Sequence, residues 1–215
     1  DGETTEGPDA ELPILAQLAD LSVNQLHRHV QELKKRELIQ QRSTWRALLP
    51  HALANKLAQS ALEHIPPATL TKVMVDTAPE RLLRSFSRRL GYLHNCHEAQ
   101  RIVGTWLAEG GLLGNVATLS PLQWDMFHNV APVLPEAALA AMELAFASHD
   151  ALMIVDLHNP YRHEWTSLLS KLAFDAALFD RAAGLLARFV IAEPQGHNNS
   201  SNEQFTGLFK LHLSG

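Results

Sequence analysis

The stretch RALLPHALANKLA, residues 46 to 58, decides the fold because it changes from one kind of secondary structure to another within a few residues. Its first part predicts a short apolar strand that runs into Pro50, and the pattern from His51 onward predicts an amphipathic helix. A helix that begins here has unpaired N–H groups and a partial positive charge at its first turn, which suit an anion. His51 stands beside those groups, so it is either a phosphate contact or an exposed histidine at an ordinary strand-to-helix corner.

Two helices are predicted before this stretch. The segment DAELPILAQLAD, residues 9 to 20, predicts a short helix with Asp9 as its N-cap and Pro13 in its first turn. In the segment LSVNQLHRHVQELKKRELI, Ser22 and Gln25 have the spacing of a capping box, and apolar residues recur at helical intervals. The second helix is therefore expected to be amphipathic and to begin just after Ser22.

A hairpin is predicted between the second helix and Pro50. The segment LIQQRSTWRALLP reads as two short strands joined by a tight turn near Ser43 to Trp45. Helix, turn, helix, hairpin is the order of a winged helix. The helix from Val23 to about Glu37 then stands where DNA-binding members of that fold carry the recognition helix.

The remainder of the chain predicts helices only. The apolar stripe of the helix after Pro50 is predicted to comprise Leu53, Leu57, Ala61 and Leu62. Thr77 with Glu80, and Ser120 with Gln123, have the spacing of capping boxes. The aromatic residues predicted to lie in the core are Trp106, Trp124, Phe127, Phe146, Trp165, Phe174 and Phe179. We therefore expect a mainly α fold, with an N-terminal winged helix that carries a small β-hairpin wing, followed by an antiparallel, solenoid-like helical array.

These patterns predict three parts of the chain: a disordered or linker segment over residues 1–9, a winged-helix domain with its C-terminal helix over 10–65, and the helical array, the start of helical sensor repeats, over 66–215. The single cysteine, Cys96, excludes an internal disulfide framework, and no apolar run approaches the roughly 20 residues that span a bilayer. We expect a cytoplasmic protein that does not contact membranes. The chain has no initiator methionine, and we interpret it as a segment of a longer protein.

Positive charge is concentrated in one part of the chain. The net charge is -5, yet residues 22 to 56 hold seven Lys or Arg against two acids, whereas residues 1 to 21 hold six acids and no base. Binding to a nucleic-acid backbone requires such a local cluster. The candidate contacts are Arg28, Lys34, Lys35, Arg36, Arg42 and Arg46. The alternative is a solvated helix face and wing without a nucleic-acid partner.

The segment LLPHALANKLA resembles the Met-His-Asp signature that ends the winged-helix domain of STAND nucleotide switches, the class of the NB-ARC and NACHT proteins of cell-death and immune signalling. The match lies in His51, followed at helical spacing by Leu53, Leu57 and Ala58. In that family the histidine contacts the terminal phosphate of bound ADP and helps to hold the resting state. The resemblance covers residues 10 to about 65 and implies that an upstream nucleotide-binding domain is a partner of this segment and that ADP or ATP is the cofactor of the parent protein.

The match departs from the family in two respects. Pro50 stands where methionine is usual and Ala52 where aspartate is usual, so the acidic member of the signature is missing. The chain also contains no Gly-x-x-x-x-Gly-Lys-Ser/Thr loop. The resemblance therefore implies a segment that is not itself an enzyme, holds no cofactor alone and depends on a nucleotide domain elsewhere in the parent protein.

Other chemistry has weaker signals in the sequence. His94, Cys96 and His97 form an HNCH motif, but zinc normally takes four ligands and no second pair lies at suitable spacing. We interpret the motif as a helix junction and expect no metal site. No Gly-x-Ser-x-Gly elbow is present, so the sequence gives no specific support for nucleophilic catalysis.

Two functions from different classes follow. The first is a non-catalytic regulatory segment of a STAND-type signalling NTPase, whose winged helix packs on the nucleotide-binding domain and whose helices relay or sense a signal through protein partners. The second is a winged-helix transcriptional regulator that binds DNA and uses the helical part for an effector or for dimerisation. The second function predicts binding to duplex DNA with an affinity that falls steeply as salt rises, and no measurable binding at low salt removes it.

Overall fold

The computed structural model of the chain describes residues 2, 6, 7, 9–148, 154, 156, 159–192 and 200–213. The described chain is mainly helical and carries a small two-stranded antiparallel hairpin. Its elements are α1 (Leu12–Leu18), α2 (Val23–Lys35), β1 (Ile39–Arg42), β2 (Trp45–Leu48), α3 (His51–His64), α4 (Pro67–Thr71), α5 (Glu80–Gly91), α6 (His97–Leu107), α7 (Pro121–Val130), α8 (Pro135–Ser148), α9 (Arg162–Leu172), α10 (Phe179–Ala192) and α11 (Ser200–Leu213). A π-helical turn, Lys72–Thr77, follows α4, and a 3-10 turn, Val116–Thr118, precedes α7.

The chain divides into two compact units, Asp1–Val103 and Gly104–Gly215. The span predicted as a winged helix, residues 10–65, lies within the first unit, and the start of the helical array at residue 66 stays a prediction. Within the described residues, no helix combines the length and the apolar composition needed to cross a membrane.

The first two helices occur in the predicted order, but only one of their two predicted caps is present. Ser22 and Gln25 form the predicted capping box at the start of α2: Gln25 N–H donates to Ser22 Oγ at 3.2 Å, and Ser22 N–H donates to Gln25 Oε1 at 2.8 Å. The prediction that Asp9 caps α1 is wrong, because the helix begins later and its N-cap position is Glu11. Pro13 lies in the first turn of α1, as predicted.

The predicted hairpin is present and has a regular register. Gln40 pairs with Ala47 and Gln41 with Arg46, so the two strands are joined by a two-residue loop. Ser43, the first loop residue, has a φ of 54°, in the left-handed region that tight hairpin turns use. The Leu49–Pro50 peptide is cis, and α3 then begins at His51.

The buried face of α3 differs from the predicted stripe. Leu62 is buried as expected, but Leu57 is 50% exposed and Ala61 is exposed, whereas Ala54 is buried. The buried positions Ala54 and Leu62 are eight residues apart and therefore lie on one side of the helix. The prediction failed because three leucines and several alanines leave the apolar face of this helix ambiguous in sequence.

The predicted capping box at Thr77 and Glu80 is wrong. Thr77 is the last residue of the π-helical turn, and its hydroxyl donates to the Val73 carbonyl at 2.6 Å. The hydroxyl is therefore engaged by the preceding turn, and α5 begins with Pro79 at its N-cap position and no side-chain cap.

The second unit contains the other predicted capping box, at the start of α7. Gln123 N–H donates to Ser120 Oγ at 3.3 Å, and Ser120 N–H donates to Gln123 Oε1 at 2.9 Å. The Gln123 side chain also donates from Nε2 to the Leu112 carbonyl at 3.0 Å, which ties the preceding loop to this helix.

Aromatic rings fill the core of the second unit. Phe189 lies 5.0 Å from Phe146 and 5.7 Å from Trp165, measured between ring centroids, and Trp165 lies 5.6 Å from Trp124. The predicted core residues that are buried are Trp106, Trp124, Phe127, Phe146 and Trp165, and Phe179 is half-buried. Phe174 is 60% exposed, so its prediction as a core residue is wrong.

A bidentate ion pair joins two helices of this unit. The Arg181 guanidinium in α10 donates from Nε to Glu143 Oε1 at 3.0 Å and from Nη2 to Glu143 Oε2 at 2.6 Å. Glu143 lies in α8, so the pair fixes the spacing of α8 and α10 beside the aromatic core.

Candidate functional site

His51 is the first residue of α3 and its side chain is exposed. It forms no hydrogen bond with another residue that the structure describes. Pro50 occupies the N-cap position and supplies no side-chain cap, so the N–H groups of the first turn remain open to an external acceptor. An exposed imidazole beside uncapped N–H groups at the start of a 14-residue helix can donate to a phosphate or carboxylate oxygen.

Two of the six candidate nucleic-acid contacts are engaged by side chains of the protein. Lys34 Nζ donates to Gln41 Oε1 at 2.5 Å, which ties the end of α2 to β1. Arg36 Nη2 lies 2.6 Å from Glu32 Oε1, and both side chains are exposed. An exposed pair of this kind contributes little to stability, and a phosphate can replace Glu32 as the partner of Arg36.

Three further candidates, Arg28, Lys35 and Arg42, are exposed. Arg28 and Lys35 are seven residues apart on α2 and thus lie on one face, two turns from each other. Glu32 lies between them along the helix, so a carboxylate interrupts the positive charge of this face. Arg42 stands at the end of β1, next to the loop of the hairpin.

The structure buries Arg46 within the first unit, although Arg46 is one of the predicted nucleic-acid contacts. Arg46 is 5% exposed, and its Nη2 donates to the Gly2 carbonyl at 2.7 Å. Successive side chains of a strand point to opposite faces, so Arg46 points inward while its neighbour Trp45 is 48% exposed. The guanidinium therefore binds the Gly2 carbonyl and does not face an external phosphate.

Glu11 organises a cluster that sequence analysis missed. This carboxylate is 1% exposed, accepts a hydrogen bond from the Gly2 N–H at 2.8 Å and pairs with the Arg81 guanidinium. The same guanidinium lies 3.8 Å from the ring centroid of Trp45, a cation–π contact. A cavity of about 480 Å³ adjoins the cluster. No local pattern links Glu11 to Arg81, because 70 residues separate them in sequence.

A partly buried histidine in the second unit also escaped prediction. His128 in α7 lies 6.0 Å from Trp124, measured between ring centroids. Burial lowers the pKa of His128 below 6.5, and the positive charge of Lys171 lowers the pKa further. Glu164 and Asp125 raise it, with a smaller effect. The side chain is therefore mainly neutral at pH 7, which suits a packing role at this position.

The HNCH motif is a junction between α5 and α6. Cys96 is 4% exposed, His94 and His97 are exposed, and His97 Nδ1 lies 3.4 Å from Glu98 Oε1. Across the part of the chain that the structure describes, no group of three or more His, Cys, Asp or Glu side chains is placed to hold a metal ion.

Comparisons with models of known protein families, with characterised proteins and with solved structures find no match to this chain. The resemblance of residues 46 to 58 to the STAND signature therefore stays a prediction that depends on the residues themselves.

Proposed function

We propose that the chain is a non-catalytic regulatory segment of a STAND-type signalling NTPase. In this proposal α1, α2, the hairpin and α3 form a winged helix, and the later helices form a solenoid-like array that relays or senses a signal. The observation that carries the proposal is the position of His51, exposed and directly after the hairpin at an uncapped helix start. An imidazole with no hydrogen-bond partner among the described residues is available to a ligand that another domain holds.

The proposed mechanism follows from that geometry. A nucleotide-binding domain of the same parent protein holds ADP, and His51 donates a hydrogen bond to its terminal phosphate while the open N–H groups of α3 add positive potential. The contact favours the packing of the winged helix on the nucleotide domain. Exchange of the nucleotide removes the contact and shifts the population toward a second packing, in which the winged helix is released.

The test uses the full-length parent protein and two histidine substitutions in α3. The His51→Ala variant is expected to retain ADP about tenfold less well during gel filtration, because a charge-assisted hydrogen bond is lost. The matched control is His64→Ala, at the opposite end of the same helix, where Nδ1 lies 2.7 Å from the Ser60 carbonyl oxygen. The control is expected to retain ADP as the wild type does.

Two results contradict the proposal. One is equal ADP retention and equal resting-state activity in the wild type and in His51→Ala. The other is a parent coding sequence whose preceding few hundred residues contain no phosphate-binding glycine loop with its lysine.

DNA binding is a second candidate, favoured by the exposure of Arg28, Lys35 and Arg42 on α2 and the wing. Three phosphate contacts predict that log affinity falls with log salt at a slope of about -2.7. Duplex binding at low salt, measured by fluorescence anisotropy, is expected to disappear in a variant that carries Arg28→Glu and Lys35→Glu. The inward position of Arg46 weighs against this function, and the absence of duplex binding by the wild type at low salt excludes it.

A further inference from the structure

A second cleft in the first unit lies between α3 and the loop that joins α5 to α6. Its volume is about 360 Å³, within the range of small-molecule sites. Its polar and aromatic lining residues are Asn55, Lys56, Gln59, Tyr92, His94 and Asn95. His51 does not line this cleft, so the cleft is distinct from the contact proposed above.

The charge of the lining is one-sided. Lys56 supplies an ammonium group and His94 an imidazole, and among the described residues that line the cleft none is acidic. The cleft therefore offers a positive potential without a carboxylate that would neutralise it.

Two neighbouring residues of α3, Asn55 and Lys56, supply hydrogen-bond donors to the cleft. Arg89 donates from Nη1 to Asn55 Oδ1, so the carbonyl end of the Asn55 amide is engaged and its NH₂ end is left for the cleft. Lys56 presents only donors. These two donors suit an acceptor-rich anion such as a phosphate or a carboxylate.

Tyr92 adds an aromatic surface at the edge of the cleft. It is 60% exposed, and the Arg89 guanidinium lies 6.0 Å from its ring centroid. Exposure of so large an aromatic side chain beside a polar cleft provides a platform on which a planar ring can stack.

We propose that this cleft binds a small anion that carries a planar ring, with the anionic group held by Lys56 and Asn55 and the ring stacked on Tyr92. The proposal does not depend on the proposed nucleotide switch, because none of its residues is used there.

The test is isothermal titration of the chain with phenyl phosphate and, separately, with inorganic phosphate. Lys56→Gln is expected to weaken binding of both probes about tenfold, through loss of a charge-assisted hydrogen bond. Tyr92→Ala is expected to weaken the binding of phenyl phosphate and to leave the binding of inorganic phosphate unchanged. The matched control is Lys72→Gln, which removes an exposed lysine from the π-helical turn in the same unit and is expected to change neither affinity.

Three results overturn the proposal. The first is no saturable binding of phenyl phosphate up to about 10 mM, a concentration well above the dissociation constant of even a weak specific site. The second is an equal effect of Lys56→Gln and Lys72→Gln, which indicates only general attraction of the anion. The third is an equal loss of both probes in Tyr92→Ala. Circular dichroism of each variant separates a local effect from unfolding.

Discussion

Replacement of Phe189 by alanine removes the ring at the centre of the aromatic packing in the second unit. Phe189 is fully buried, and its ring contacts Phe146 and Trp165 at centroid distances of 5.0 and 5.7 Å. Large-to-small substitutions of a buried phenylalanine cost about 3–5 kcal/mol, from lost transfer free energy and from the cavity left behind. Because two aromatic pairs are lost together, we expect the upper half of that range.

The assay is equilibrium unfolding in urea, followed by tryptophan fluorescence and by circular dichroism at 222 nm. With a slope of about 2 kcal/mol per molar urea, a loss of about 4 kcal/mol lowers the midpoint of unfolding by about 2 M. The fluorescence signal reports on this unit because Trp165 lies beside the substituted ring.

The matched control is Phe174→Ala in the same unit. Phe174 is 60% exposed, so its truncation is expected to cost less than about 0.5 kcal/mol. The reasoning is refuted if the two variants unfold at the same urea concentration, or if Phe174→Ala is the less stable of the two.

Three further changes have defined outcomes. A Cβ at Gly111 would overlap backbone carbonyl oxygens of α6, so Gly111→Ala is expected to lower the melting temperature. Gly184 lies in an open position within α10, so Gly184→Ala is expected to raise the free energy of unfolding by about 1 kcal/mol. The folded-state pKa of His128 lies below 6.5, so the unfolded chain binds more protons than the folded chain as the pH falls through 6.5. Stability that is present above that pH is therefore lost below it. The His128→Gln variant lacks this group and is expected to show a smaller loss of melting temperature between pH 7.5 and 5. Deletion of residues 1–8 and Arg46→Ala each remove the bond between the Arg46 guanidinium and the N-terminal segment, so a double-mutant cycle of unfolding free energies is expected to be non-additive, and strict additivity contradicts the contact.

Features set by short-range spacing could be predicted from sequence. Ser22 with Gln25 and Ser120 with Gln123 form the predicted capping boxes, since serine and glutamine three residues apart satisfy each other's backbone groups without help from the rest of the fold. The same spacing misled at Thr77, because the hydroxyl there donates to the Val73 carbonyl of a π-helical turn that periodicity does not reveal.

The position of His51 at an exposed helix start could be predicted, because it follows from the proline and the change of pattern around it.

Features set by distant parts of the chain could not be predicted. Arg46 is buried on the face of the hairpin where its guanidinium binds the Gly2 carbonyl, and a strand of four residues does not indicate which face is covered. The contact of Glu11 with Arg81 joins residues 70 positions apart, so no local pattern contains it.

The hydrogen bonds of the Gln123 amide limit which amino acids can replace it. Its oxygen accepts from the Ser120 N–H while its nitrogen donates to the Leu112 carbonyl, so both ends of the amide are committed. At Gln25 both contacts, with the Ser22 N–H and hydroxyl, are made by the side-chain oxygen, which glutamate also supplies. In a saturation library, glutamate is therefore expected to survive selection for folding at position 25 and to be depleted at position 123, where it would set a carboxylate against a carbonyl oxygen.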